Sequence, residues 1–476
     1  MKFTALSTAL LLAISPVMAD ELPNLGEVSQ STLSPQQERR IGESIMEEVR
    51  ADSTYLDDVE VSEYLNELGY RLVSNSPDNQ RDIEFFALRD NTLNAFALPG
   101  GFIGVHSGLM LAAQNESELA GVLAHEIAHV TQGHLARMIA RQSQNALTSI
   151  AALAIAILAA RSNPQVANAA LATAQAATIQ TQLDFTREHE READRIGLQI
   201  LQKAQFDPRA MAAFFEKLSR YGRIYENNAP AYLRTHPLTT ERIADIQNRV
   251  EKLPYRQIAS SMEFQLVRAK LRATQDDANQ AVAEFEQSLA DKKYDSESAA
   301  RYGLIQALLR AGKLARAEQE MAALRKNAKP SAMIETLAAQ LKTANQQGAA
   351  ALALYRAALK NYPRHRALVY GYADALLQTH QSDEASRFAG EQLRAYPSDY
   401  RLYELQARSY AQQNKPLQQH LAQAEAYARS GKTHAAIEQL QIALESKNSD
   451  FYQLSIVEAR LKELKSLEKE KQKTKY

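Results

Sequence analysis

Hydrophobic positions change their rhythm several times along the chain, and each change marks an element. The first apolar run, Ala5 to Ile14, follows the basic Lys2 and ends in the small-residue stretch Val17-Met18-Ala19 before Asp20. That order reads as a secretory signal peptide over residues 1–19, too short to span a bilayer, with cleavage expected after Ala19. A polar linker over 20–33 leads to Ser34-Pro35-Gln36-Gln37, which predicts a helix start: Ser34 as N-cap, Pro35 in the first turn, Gln37 closing a capping box. Between residues 83 and 105 the segments IEFFAL and NAFALPGGFIGVHSGLM are short, β-branched and aromatic. Asn91 and Pro99-Gly100-Gly101 break them, so a small strand unit with a hairpin is expected. Helical spacing returns with Leu119, Val122, Leu123, Ile127 and Val130 behind a capping pattern at Asn115 to Glu118.

Residues 148–180 are alanine-rich, and Ile150 to Ala160 contains no polar residue. Such a stretch is too short for a membrane span. A buried or groove-covering helix is the plain reading, and a membrane-touching hairpin or active-site lid the sharper one. A further helix carries REHEREADRIGLQIL, and a loop from Leu233 to Leu238 closes this region before Glu241-Arg242-Ile243.

From about residue 260 the pattern becomes helical and self-similar. Ala283, Ala317, Ala351 and Ala385 recur every 34 residues, and Pro363 and Pro397 share that interval. Thirty-four is the tetratricopeptide period, in which small residues let paired helices approach and proline closes the second helix. Ala436 lies 51 residues past Ala385, so irregular or capping units are expected beyond Pro397. The Lys/Glu-rich tail after Lys462 reads as a solvated terminal helix.

Composition narrows the function classes. With 476 residues, 45% hydrophobic, the chain can fill two or three domains. Lys and Arg number 55 against 56 Asp and Glu, so no global field favours nucleic acid. There is no cysteine, which excludes disulfides, thiolate nucleophiles and cysteine metal sites.

The chemistry concentrates in HEIAHVTQGH at residues 125–134. A helix turns about 100° per residue, so His125 and His129 lie one turn apart on one face and can bind one metal ion. Glu126 beside them can take a proton from attacking water and deliver it to the leaving amine. His134 is rotated off that face, and a surface or supporting place is expected for it. A catalytic zinc usually takes three protein ligands, so one must come from elsewhere. Glu188, Glu190 and Glu192 are all candidates by spacing, and Glu190 shares a helix face with Asp194, so one of the pair can bind metal while the other accepts a hydrogen bond from a ligand histidine. A solvated face laced with ion pairs is the plain alternative.

HEIAHVTQGH, with NAFALPGG before it and REHEREADRIG and THPLTTERI after it, resembles the HtpX/Oma-type family of zinc metallopeptidases. The resemblance implies one zinc per chain held by His125, His129 and Glu190, the last within the pattern Arg187, Glu190, Ala193, Asp194, with Asp194 supporting the ligands. Thr186 stands where the family pattern leads one to expect serine. The absence of a long apolar span resembles the secreted branch that joins the protease to tetratricopeptide repeats. It implies a periplasmic address and action on unfolded or stalled outer-membrane β-barrel proteins, with the repeats contacting the β-barrel assembly machinery. The fold class expected is mainly α: an α+β zincin-type metallopeptidase domain with a small sheet over 34–255, then an all-α repeat solenoid over 260–476 whose concave face would capture client or partner.

Two further sites follow from this picture. Asn94, Ala95 and Phe96 can form an edge strand that pairs with an extended substrate, against the plain reading of a core hairpin. His236, in a loop beside Pro237, can contact substrate, stabilise the tetrahedral intermediate, or occupy the open metal position and hold the enzyme latent. A structural hydrogen bond is its plain alternative. The competing function is a non-proteolytic chaperone or scaffold for outer-membrane protein assembly.

Overall fold

The computed structural model describes residues 33–140, 187–224, 231–254, 258–446 and 451–474. The signal peptide and the apolar stretch at 150–160 lie outside the described residues.

Helix α1 (Pro35–Ala51) begins as its sequence predicts, with Ser34 and Gln37 forming a reciprocal capping box. Helix α2 (Val59–Val73) starts at Asp58, whose carboxylate accepts from the Glu60 and Val61 amides. Three strands follow, β1 (Glu84–Leu88), β2 (Ala95–Leu98) and β3 (Phe102–His106), in the order β1-β3-β2. β1 runs parallel to β3, and β2 runs antiparallel to it. The β2–β3 turn needs left-handed backbone at Gly100 (φ 77) and Gly101 (φ 85), which glycine adopts without a Cβ clash.

Alternation along β1 divides the core. Phe86 and Leu88 pack with Ile45, Met46 and Val49 of α1, while Phe85 and Ala87 face the main cluster with Leu65, Leu68 and Leu72 of α2. That main cluster surrounds α4 (Glu116–Thr131), every residue of which is buried. The short α3 (Ser107–Ala112) precedes it, and α5 (His134–Ala140) follows after a break. Then come α6 (Arg187–Lys203), α7 (Arg209–Ile224), α8 (Ala231–Thr235) and α9 (Thr240–Glu251). Gly197 lets α6 cross tightly: a Cβ there would lie 2.9 Å from Met211 Cε and 3.3 Å from the His125 amide nitrogen.

The remainder is a solenoid of helix pairs: α10 (Met262–Gln275) with α11 (Ala278–Ala290), α12 (Glu297–Arg310) with α13 (Leu314–Asn327), and α14 (Ala332–Ala344) with α15 (Gly348–Asn361). The series continues with α16 (Arg366–Gln378) and α17 (Ser382–Ala395), α18 (Tyr400–Gln412) and α19 (Pro416–Arg429), and α20 (Thr433–Leu444) and α21 (Phe451–Thr474).

Two expectations are corrected here. Ala317, Ala351 and Ala385 are buried at the same place in their helices, but Ala283 is exposed and Ala281 fills that place in α11. The link between the first two pairs is longer, which moves the phase. Regular pairing also continues beyond Pro397 through α18 and α19. The 51-residue step to Ala436 is one and a half periods, so Ala436 is buried in the first helix of its pair.

The solenoid rests on the acidic side of α2. Lys270 of α10 reaches Asp58 at 2.8 Å and Glu60 at 2.6 Å, and the Glu63 carboxylate accepts from the Arg366 amide at the start of α16 at 2.9 Å. Arg401 of α18 pairs with Asp57. All three contacts come from the first helix of a pair. Glu116 ties the connection itself, accepting from the Ser261 amide at 2.9 Å and its hydroxyl at 2.7 Å. Among the described residues no helix is long and apolar enough to cross a membrane.

Candidate metal centre

Asn115 caps α4 by accepting from the Glu118 amide at 3.0 Å, and the helix then runs without interruption through His125, Glu126 and His129. Its pitch brings His125 Nε2 and His129 Nε2 to 3.0 Å of each other. α6 crosses beside them and inserts Glu190, whose Oε2 lies 3.5 Å from His125 Nε2 and whose Oε1 lies 3.4 Å from His129 Nε2. His236, just after α8, completes a buried group: one atom from each of His125, His129, Glu190 and His236 falls within 4.8 Å of the others. Of the three glutamates that spacing left open, Glu188 is exposed and Glu192 half-buried and aimed elsewhere. Only Glu190 enters the cluster.

Asp194, one turn after Glu190, sits 3.0 Å from His125 Nδ1. Arg242 of α9 holds that carboxylate with both arms, Nε to Oδ2 at 2.7 Å and Nη2 to Oδ1 at 2.8 Å, and its Nη1 reaches Glu190 Oε2 at 2.7 Å. The same Nη1 donates to the Pro237 carbonyl at 2.8 Å, which fixes the loop that carries His236. His236 Nδ1 lies 3.1 Å from Glu190 Oε1, its Nε2 lies 3.6 Å from Glu126 Oε1, and its ring stacks on Tyr232.

The electrostatics are those of a pocket built for a cation. Burial pushes the His125 imidazole down, but hydrogen bonding to Asp194 and Glu190 outweighs it and raises His125 to about 9. Burial first, and then the neighbouring His125, His236 and His134, drive His129 well below the usual histidine range against the pull of Glu190. Burial would raise Glu190, yet His236 and the other histidines hold it well below the carboxylate range. Glu126 is raised by burial, opposed by His236 and His125 and by the neighbouring Tyr232 hydroxyl.

The outer ring nitrogens sharpen the fit. Asp194 Oδ1 lies 3.0 Å from His125 Nδ1, and the Nδ1 of His129 faces the Nδ1 of His134 at 2.7 Å. Both Nε2 atoms are thereby turned into the space that Glu190 closes. Two imidazoles and a carboxylate at this separation suit a tetrahedral divalent ion, and the residues fit the group.

The family model of peptidase family M48 matches residues 60–250, and tetratricopeptide-repeat models match 266–332 and 342–409. A beta-barrel assembly-enhancing protease of Escherichia coli is 34% identical over 452 residues, covering 94% of this chain and 92% of that one. This chain belongs to peptidase family M48. A putative beta-barrel assembly-enhancing protease of Vibrio cholerae is 41% identical over 306 residues, 62% of this chain and 63% of that protein. The mitochondrial metalloendopeptidase OMA1 of Schizosaccharomyces pombe is 34% identical over 196 residues, 41% of this chain and 54% of its own.

As an M48 peptidase the chain is a metalloprotease whose catalytic part is followed by protein-binding repeats. Two details of this M48 site sharpen or correct the sequence reading. Of the two places open to His134, it takes the supporting one, fully buried against His129, because the chain breaks at Gly133 (φ 61) and α5 folds back. Asn94 precedes β2, and its carbonyl is taken by the His106 amide at 3.0 Å. Antiparallel alternation then directs the amides and carbonyls of Ala95 and Ala97 away from β3, while Phe96 bonds to it; Ala95 is fully buried there and Ala97 partly exposed.

Sequence reasoning gave no role to Tyr232 or Arg242. Tyr232 is fully buried beside Glu126 and raised well above the ordinary phenol range, by burial first and then by the Glu126 charge. Arg242 was visible only as part of THPLTTERI; its i-to-j span of 48 residues to Asp194 carries no local signal.

Proposed function

We propose that this M48 peptidase is a periplasmic zinc endopeptidase that degrades unfolded or stalled outer-membrane β-barrel proteins, with the repeats contacting the β-barrel assembly machinery. The relatives named as beta-barrel assembly-enhancing proteases support the substrate class, and the cluster of His125, His129, Glu190 and His236 supports the chemistry. In this reading residues 1–19 are the export signal, 34–255 the catalytic domain and 260–476 the repeat domain.

His125, His129 and Glu190 hold the ion, which when bound polarises the scissile carbonyl and makes the attacking water more acidic. Glu126 takes the proton of that water on its carboxylate and passes it to the leaving amine. Asp194, clamped by Arg242, keeps His125 oriented. The outward backbone of Ala97, the part of this edge that is not fully buried, pairs with an extended substrate, which suits sequence-tolerant recognition of unfolded chains.

His236 serves as a latch in the resting enzyme, because it occupies the side of the cluster next to Glu126 that substrate must reach. The Tyr232 amide meanwhile donates to the Leu93 carbonyl at 3.2 Å, at the start of the substrate edge. His236→Ala should raise cleavage of an unfolded protein several-fold with metal content unchanged. A fall in cleavage at constant metal content would assign His236 to substrate instead.

The reading as a whole is tested by metal content and proteolysis of the purified mature protein. One zinc per chain with cleavage of an unfolded model protein is expected; a chain without metal would point to the scaffold function. The affinity should also depend on pH in a defined way. Because His125 is raised to about 9, a metal must displace its proton below that pH. Apparent zinc affinity should therefore rise by about tenfold per pH unit as pH increases toward 9 and flatten above it, as read by chelator competition.

A further inference from the structure

We infer that His134 is a positioning residue for the metal, acting through His129, and that Glu192 and Arg137 complete the support. The inference rests on the reading of His129 as a ligand.

Each HExxH histidine meets the cluster through Nε2, so what its Nδ1 touches decides whether that lone pair is available. For His125 the partner is Asp194 at 3.0 Å, backed by Arg242. For His129 the partner is not a carboxylate or a backbone carbonyl but a second imidazole, His134 Nδ1 at 2.7 Å. An imidazole accepts at that nitrogen only if its own proton sits on the other one. His134 Nε2 lies 3.2 Å from Glu192 Oε2, and Arg137 Nη2 donates to the same oxygen at 2.8 Å. Glu192 thus holds the His134 proton on Nε2, His134 Nδ1 accepts from His129 Nδ1–H, and His129 Nε2 is left as a lone pair aimed at Glu190. Both ligands are then oriented by an acceptor that an arginine anchors, one directly and one through a relay. The fold has built the relay deliberately in space: the left-handed Gly133 ends α4 and returns α5 so that His134 and Arg137, three residues apart, face α6. His134 is fully buried, stacked flat on His189 at 4.6 Å between ring centres, so its ring cannot flip to exchange Nδ1 and Nε2 without breaking that packing.

The test uses zinc alone as the probe, with chelator competition on the full mature chain and thermal melting of the metal-free protein. His134→Leu keeps the apolar volume but removes the acceptor, and zinc affinity should fall by about 10- to 100-fold, the range typical of lost support behind a ligand histidine. His134→Asn places Oδ1 near the position of Nδ1 and should stay within about threefold of wild type, since it restores the acceptor. Glu192→Ala, at a half-exposed position that folding tolerates, should weaken zinc several-fold by releasing the His134 tautomer. Metal-free melting temperatures should stay within a few degrees throughout. Unchanged zinc affinity in His134→Leu, equal losses in the Leu and Asn variants, or a metal-free melting temperature that falls in step with affinity would each overturn the assignment in favour of a packing role. Failure of the wild-type chain to bind zinc would overturn the ligand reading beneath it.

Discussion

Glu126→Gln should keep its metal and lose cleavage of an unfolded protein by about 10²- to 10⁴-fold, the usual worth of a positioned proton carrier. The substitution preserves shape in a fully buried position, so neither the helix nor the ligand geometry has reason to move. What disappears is basicity. Burial raises the pKa of Glu126 against the opposing pull of His236 and His125, so the carboxylate can both take and return a proton. An amide can do neither. Steady-state kcat/KM on an unfolded model protein, alongside metal content, checks this. Cleavage within tenfold of wild type at full metal content would remove Glu126 from the reaction.

Arg242→Met should give the largest loss of stability among single substitutions near the site. Arg242 is 2% exposed and neutralises two buried carboxylates, Asp194 through a two-armed bond and Glu190 through Nη1. Removing one member of such a group leaves the others as uncompensated buried charge, at about 3–5 kcal/mol. In a unit of this size that corresponds to a melting-temperature drop on the order of 10 °C. Zinc affinity should fall as well, because Asp194 would no longer be held against His125 and the Pro237 carbonyl would lose its donor. Arg242→Lys should not rescue either property, since a single ammonium cannot reproduce the planar fork. Calorimetry of metal-free and zinc-loaded protein decides the matter; a melting temperature unchanged in both forms would show that the carboxylates are neutralised some other way. Burial lowers the guanidinium's hold on its proton, but the Asp194 and Glu190 charges outweigh it, so Arg242 stays charged at every accessible pH.

Much of the fold was legible because it depends on neighbours in sequence. The capping box at Ser34, the N-cap at Asn115, the glycine turn before β3 and the helical face of His125 and His129 are all set by backbone geometry over a few residues. The repeat period was legible for the same reason, although one alanine of the four was a coincidence of spacing. Ala283 shares the interval of 34 but not the buried place, because a longer connection shifts the helix and Ala281 packs instead.

What sequence could not supply was convergence. Helix phase left Glu188, Glu190 and Glu192 open, and the close crossing of α6 over α4 at Gly197 is what brings Glu190 to the histidines. His134 was placed off the ligand face because a continuing helix would put it there; one left-handed glycine ends that helix and turns the residue back. Arg242 meets Asp194 across 48 residues and Glu63 meets Arg366 across 303, and in neither case do the residues between carry any trace of the contact. Dihedral preferences and short-range hydrogen bonds determined the elements and placed His125, Glu126 and His129 on one of them. The burial of apolar faces, which acts between segments regardless of their distance along the chain, decided which other side chains stand around them.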